Sequence, residues 1–413
     1  MPRILVVGGG VEHVRKAREL GLDVVLVEFP DAYDPAYAPL VDQALLVDYG
    51  DVDRLLPLVR ALHETHPIQA AVSLFELGLL PAARINEALG LGGESLETAE
   101  TVELLLDKWR MRRHLATHGV SPMASAVGRS VHDIHEFGKT YGFPIIVKPV
   151  RESGSLGVFR INDRADVDAV ADRFRALGNR SWAPGDLSSA ESFDEFLIEE
   201  FLDGPEISVE TLSFDGRHVV VATTDKAIGP GFVEIGHSQP SSFPAGTLRE
   251  AIQLVADFLD AVGLRNGPAH TEVKLTGRGP RIVESHNRIG GDRINELARI
   301  VYGVDMERYA LGAPFGLVEP LVTAPVPRAG AAIRFLTPQP GRVVDVAGVD
   351  AVRADPALAE LRLAVEPGAE IPPLTWNEDK IGHVIARGAT AADAVAHAEQ
   401  LAAEIRIRTE PAA

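Results

Sequence analysis

Residues His270–Asp292 read HTEVKLTGRGPRIVESHNRIGGD, two alternating runs broken by the turn TGRGP. Alternation on both sides of a glycine-containing turn predicts two paired antiparallel strands. Pairing would bring Glu272 and Glu284, twelve positions apart in the chain, close together in space. Because strand side chains alternate between faces, Glu284, His286 and Arg288 are expected on one side. Two carboxylates, one further ligand and an arginine suit a hard divalent cation and a phosphoryl group in transfer. The plainer alternative is a surface hairpin whose charges are only solvated.

A second stretch upstream bears on that choice. IIVKPVRESGSLGVFRI places Lys148 at the end of an apolar strand, followed by Ser153, Gly154, Ser155 and Gly157 in a turn of small residues. Glycines let backbone N–H groups approach a polyphosphate, and a lysine adds a point charge for its oxygens. The P-loop pattern GxxxxGK[ST] is absent. A third stretch, FLIEEFLDGPEISVETL, runs apolar into Glu199, Glu200, Phe201 and Leu202 and then alternates through Glu206. Such a segment can hold an adenine between apolar side chains and a ribose on a carboxylate.

In this order, Asp107-Lys108, VKP with its glycine-rich loop, EEFLDG.E.S, TE.K and the E...R strand resemble the ATP-grasp superfamily. Two further runs, GFVEIGHSQPS at Gly231–Ser241 and KIGHVIARGATAADAVAHAEQLAAEIRI from Lys380, resemble the carboxylate–amine ligases that join L-amino acids into dipeptides. The resemblance implies an α/β chain with a Rossmann-like N-terminal lobe, two lobes clasping ATP, and a C-terminal extension. Lys108 and Lys148 would then contact ATP phosphates, with Ser153, Gly154, Ser155 and Gly157 covering them. Glu199, Glu200, Phe201 and Leu202 would form the adenine hinge, and Glu206 would hold the ribose. Glu272 and Glu284 would bind Mg²⁺, or Mn²⁺ in its place, and Arg288 would steady the transferred phosphoryl group. The family motif is E-x-N-x-R, whereas this chain has Glu284-Ser285-His286-Asn287-Arg288. Alternation favours His286 as the group facing the metal, with Asn287 facing it only if a bulge intervenes. The implied activity is ATP-dependent, ADP-forming amide synthesis from a carboxylate and an amine, both amino acids. Alternatives are a carboxylase activating bicarbonate and a nucleotide-binding regulatory protein without catalysis.

Other polar residues have two readings each. Glu234 and His237 could hold a substrate ammonium and act beside the amine nucleophile, or belong to a solvated loop. Lys226 could bind phosphate or carboxylate, or be an exposed lysine. Gly291, Asp292 and Arg293 could line the amino-acid pocket, while Asp292 could also cap a helix beginning near Ile294. Trp182, Trp376, His63, His66, His132 and His135 are assigned to packing or surface.

The whole chain is consistent with this. It has 413 residues, 46% of them hydrophobic, with a net charge of −19 and no cysteine. Disulfides and thiolate chemistry are excluded, and so much negative charge argues against a nucleic-acid partner. With neither a long apolar run nor a secretory leader, a cytoplasmic location is expected, with no membrane contact and a possible homodimer. The opening RILVVGG…DVVLVE predicts a strand, glycine turn, helix and strand, with Glu28 ending the second strand. A dinucleotide would fit such a unit, but His13 stands where GxGxxG has its third glycine. Lobe boundaries are expected at residues 1–105, 106–192, 193–312 and 313–413, with GNRSWAPGDLSSAESFDEF a loop-rich insertion before the hinge.

Overall fold

The computed structural model describes residues 1–170, Arg173 and 195–411. Trp182 and the insertion at 178–194 lie outside the described residues. The architecture is mixed α/β, as the sequence predicts.

The N-terminal lobe carries β1 (Arg3–Val7), β2 (Asp23–Glu28), β3 (Gln43–Leu46) and β4 (Ala70–Val72), all parallel in the order β3-β2-β1-β4. Helices cover both faces, so β1 and β2 read as unbroken apolar runs. Their alternate residues feed two cores: Ile4, Val6, Val24 and Leu26 pack on one side, Leu5, Val7, Val25 and Val27 on the other. The glycine turn after β1 is occupied by the lobe's own side chains. The Tyr37 hydroxyl donates to the Gly9 carbonyl, and a Cβ at Gly8 would meet the Tyr49 hydroxyl at 2.7 Å. The lobe's tyrosines therefore pack where a dinucleotide would have to approach that turn.

The small lobe is an antiparallel sheet of β5 (Ser125–Gly128), β6 (Ile145–Pro149), β7 (Phe159–Ile161) and β8 (Phe196–Glu200), in the order β5-β8-β6-β7. The hinge strand β8 pairs with β5 and β6, so it belongs here, although the sequence placed it beyond a boundary at 192. A run of apolar residues shows that a strand exists but not which sheet it joins.

Next come β9 (Glu206–Phe214), β10 (Arg217–Ile228), β11 (Glu234–Gln239), β12 (Gly267–Thr276) and β13 (Gly279–His286). The C-terminal strands are β14 (Gly330–Phe335), β15 (Gly341–Ala347), β16 (Leu358–Leu363), β17 (Glu370–Ile371), β18 (Gly382–Gly388) and β19 (Arg406–Glu410). One eight-stranded sheet runs β13-β12-β9-β10-β11-β14-β18-β16, while β17-β15-β19 form a small separate sheet. The segment after residue 313, expected as a C-terminal subdomain, thus adds three strands to the sheet of the large lobe. The helix Ala245–Ala261 packs Val255, Phe258 and Leu259 against Val209, Val273 and Ile282 of that sheet, backing the strands that carry the acidic residues. No helix among the described residues is long and apolar enough to cross a membrane.

Candidate active site

The lobes surround a cavity of about 380 Å³ whose walls include Glu76, Lys148, Glu272, Glu284 and Asn377. Each part of the chain contributes at least one of these side chains.

On the small-lobe side the charges are mainly cationic. Asp107 accepts from the Arg110 amide at 2.9 Å and so caps the helix Lys108–His118 at the residue before Lys108. Lys108 lies 3.3 Å from Glu284 and also donates to the Glu152 carbonyl. One turn on, Arg112 reaches Glu199 at 2.5 Å, while Lys148 meets the other oxygen of the same carboxylate at 2.7 Å. Burial alone would raise the Glu199 pKa, but these two cations hold it below the ordinary value. Glu199 is 3% exposed and anchors both cations. The Glu200 and Phe201 amides donate within the small lobe, to the Ala124 and Pro144 carbonyls. Ser153, Gly154 and Ser155 line the cavity, whereas Gly157 is not among its lining residues. Gly154 has φ 67° and Ser155 φ 63°, a conformation that favours glycine at the first and strains the second.

The large-lobe side is acidic. The β12–β13 hairpin forms as expected, with Glu272 opposite Glu284 and His270 opposite His286. Lys226 on β10 is 1% exposed and is shared by three carboxylates: Glu206 at 3.0 Å, Glu234 and Glu272. Burial works against its charge, yet the three carboxylates outweigh it and raise the Lys226 pKa well above the usual lysine range. Lys226 is therefore an internal counter-ion, not an exposed lysine. Glu206, expected on a ribose, also meets Lys274 at 3.3 Å. Beneath Glu272, His270 bridges to Glu210 at 2.9 Å.

The strand ends at His286, so alternation does not carry through to Arg288. What gathers these groups is Glu76, the first residue of the N-terminal-lobe helix Glu76–Leu89. Its two oxygens meet His286 at 2.8 Å and Arg288 at 2.5 Å. The other nitrogen of His286 faces Glu284 at 3.2 Å. Burial opposes a charge on His286, but the flanking carboxylates prevail and its pKa is raised. Both ring nitrogens of His286 thus face carboxylates, one from the N-terminal lobe and one from the hairpin. Asn287 does not line the cavity, but its side-chain oxygen is buried with no hydrogen-bond partner among the described residues. The two facing carboxylates on the cavity wall, Glu272 and Glu284, are hard oxygen donors suited to Mg²⁺.

Two other clusters place three potential metal ligands within 4.8 Å of one another: Glu206–Glu234–Glu272 and Glu234–His237–Asp292. Each is already answered by an ammonium, the first by Lys226 and the second by Lys380, which pairs with Asp292. Asp292 also lies 3.3 Å from His237, and it does not cap the following helix. The helix Ile294–Tyr302 instead starts from Arg293 at φ 63° with no side-chain cap, just after Asp292 at φ 51°. Two consecutive non-glycine residues in this region store strain. Lys380 and His237 hold the first, and Glu12 and Glu360 hold the second. His237 itself is fully buried behind the cavity wall. Trp376 is buried, as expected, and His63, His66, His132 and His135 do not line the cavity.

Glu76, Asn377 and Lys380 are site residues that no local pattern in the chain marks. Arg112 had a signal in the four-residue spacing from Lys108, which puts both on one helix face.

Family comparisons agree with this geometry. Residues 14–93 match the ATP-grasp N-terminal domain, 141–296 the ATP-grasp domain and 334–410 the L-amino acid ligase C-terminal domain 2. The chain thus combines ATP-grasp domains with the C-terminal domain 2 of L-amino acid ligases. It is 29% identical over 250 residues to the alanine–anticapsin ligase of Bacillus subtilis, across 57% of this chain and 52% of that protein. It thus spans about half the length of that relative. The L-arginine-specific L-amino acid ligase of Bacillus subtilis is 25% identical, across 74% of this chain and 73% of the relative. The L-amino acid ligase structure from Bacillus licheniformis superposes with a TM-score of 0.85 at 22% identity, across 99% of both chains, a likeness of fold.

Proposed function

We propose that this ATP-grasp chain joins the carboxylate of one amino acid to the amine of another, with ATP cleaved to ADP and phosphate. The observation that carries this reading is the register placing Glu272 opposite Glu284 on the cavity wall, with Lys108 and Arg288 beside them. Named relatives with ligase activity on amino acids support the choice of substrates.

In this mechanism the adenine lies against Phe201 and Leu202, and the phosphates meet Lys108, Lys148 and the loop at Ser153–Ser155. A Mg²⁺ held by Glu272 and Glu284 would neutralise charge on the phosphate oxygens. The substrate carboxylate attacks the γ-phosphorus, and the bond to the β-γ bridging oxygen breaks, giving an acyl phosphate and ADP. Arg288, kept in place by Glu76, steadies the phosphoryl group. Glu234 and Asp292 hold the incoming ammonium, Glu234 takes a proton from it, and the freed nitrogen attacks the acyl carbon. Phosphate leaves with the C–O electron pair. Such chemistry depends on positioning and charge neutralisation, with no protein nucleophile.

The test is incubation with MgATP and pairs from an amino-acid panel, with ADP and phosphate assayed and products identified by mass spectrometry. One ADP and one phosphate per dipeptide, plus hydroxamate formation with hydroxylamine, is the expected result. AMP and pyrophosphate would overturn it.

A further inference from the structure

The C-terminal segment contributes a contact that the reaction scheme above does not use. Between β17 and β18 the chain makes a tight turn held by Asp379, which accepts from the Thr375 amide and hydroxyl at 2.8 Å and from the Trp376 indole at 3.0 Å. This turn presents Asn377 to two parts of the cavity wall at once. Its backbone N–H donates to the Gly154 carbonyl in the glycine-rich loop at 3.1 Å. Its side chain grips Glu234 twice: Oδ1 accepts from the Glu234 amide at 3.0 Å, and Nδ2 donates to the Glu234 carboxylate at 3.0 Å. Asparagine is suited to both contacts because its side chain offers an acceptor and a donor together, and aspartate offers only acceptors. The same loop is also tied to the large lobe by the Ser155 hydroxyl, which donates to the Phe232 carbonyl at 2.9 Å.

Asn377 therefore connects Glu234 to the loop covering the phosphates. An acyl phosphate can be lost to water: water oxygen attacks the acyl carbon, the C–O bond to phosphate breaks, and the free carboxylate and phosphate leave without an amide. Excluding water until the amine attacks is the task of a closing loop. We propose that Asn377 is a positioning residue that latches the glycine-rich loop to the amine-binding Glu234, keeping the acyl phosphate shielded until the amide forms. The inference rests on the function proposed above.

The test measures phosphate released per amide formed, at saturating amine, for the wild type, Asn377→Ala and Asn377→Asp. The wild type should release close to one phosphate per amide. Asn377→Ala keeps its backbone donation to Gly154, so ADP affinity should change little, while the ratio rises several-fold. Asn377→Asp places a second carboxylate against Glu234 and should raise the ratio at least as far. Ser155→Ala unties the same loop from Phe232 and should move the ratio in the same direction, which keeps the idea testable if an Asn377 variant folds poorly. Folded variants that all remain near one phosphate per amide overturn the latch alone. Loss of ADP affinity with an unchanged ratio also overturns it, since Asn377 would then only support the loop. A wild type that makes no amide from any pair overturns the functional reading, and the latch with it.

Discussion

Two groups of charges on opposite walls of the cavity solve inverse problems. On the small-lobe wall, Arg112 and Lys148 share the one carboxylate of Glu199; on the large-lobe wall, Glu206, Glu234 and Glu272 share the one ammonium of Lys226. The first arrangement leaves positive charge in excess, suited to polyphosphate, and the second leaves negative charge in excess, suited to a metal ion and an ammonium. Both cationic side chains of the first group and the lysine of the second are almost entirely buried, so none can find water as an alternative partner. Removing one member of such a group costs more than the group itself contributes, because the partners are left charged in a poor solvent. The largest expected effect is therefore at Lys226, where three acids depend on one cation. Lys226→Met should lower unfolding free energy at neutral pH by about 3–5 kcal/mol, measured by urea denaturation. The deficit should shrink as pH falls, because protonating the stranded carboxylates removes their uncompensated charge. A variant as stable as wild type at neutral pH would mean that the acids repel one another far less than their spacing implies.

Glu284 differs from Glu272 in its answering cation, Lys108, which the nucleotide would also require. Burial raises the Glu284 pKa, but Lys108 and His286 outweigh it and hold the carboxyl well below the usual range. Glu284→Gln keeps the shape and removes the charge, so turnover should fall on the order of 10²-fold while the fold survives. Wild-type turnover in a folded Glu284→Gln protein would remove the hairpin carboxylates from the mechanism.

These two predictions differ in how far they could be made from sequence. The hairpin was legible because alternation and a glycine turn are local, and so were Lys148 and its loop. Lys226 could be seen in the chain, but its three partners lie on β9, β11 and β12, and only strand order brings them together. Glu76 is more than two hundred residues from Arg288, and a carboxylate at the start of an apolar helix reads as ordinary. His286 shows the limit of alternation as a tool. It assigned the side chain to the cavity, where the structure also places it, but could not reveal that Glu76 and Glu284 would take both ring nitrogens. Sheet membership was similarly hidden: the apolar pattern of β8, β14, β16 and β18 shows strands without naming their neighbours.

The Asp292–Lys380 pair sharpens the contrast between the two walls, since here an acid beside the cavity has its own cation. From sequence, Asp292 alone would favour cationic substrates; with Lys380 bound to it, the corner is close to neutral. The two partners should then bias selectivity in opposite directions. Asp292→Asn leaves Lys380 uncompensated and should lower kcat/KM for basic over neutral substrates by several-fold, about 1 kcal/mol. Lys380→Met frees Asp292 and should raise the same ratio. Unchanged profiles in both variants would place the pair outside the substrate pocket.

The smallest effect expected is at Glu360 on β16, which ties the strained turn after Asp292 to the end of the sheet. Its carboxylate meets His383 at 2.9 Å and Arg293 at 2.5 Å. Burial would raise its pKa from 4.5, but His383 and Arg293 together bring it down to about 2. A carboxyl whose pKa is lower folded than unfolded stabilises the fold above its unfolded value, and the contribution disappears as pH falls through the folded value. Glu360 should thus contribute fully above about pH 4.5 and lose that contribution towards pH 2. The side chain is 28% exposed, so water screens the pair. Glu360→Gln should therefore cost only about 0.5 kcal/mol at neutral pH. The variant and wild type should converge in denaturant midpoint as the pH is lowered from 4.5 towards 2, provided the fold persists in that range. A gap that stays constant down to the acid limit would show that Arg293 is held in its left-handed conformation by Glu12 and the backbone alone.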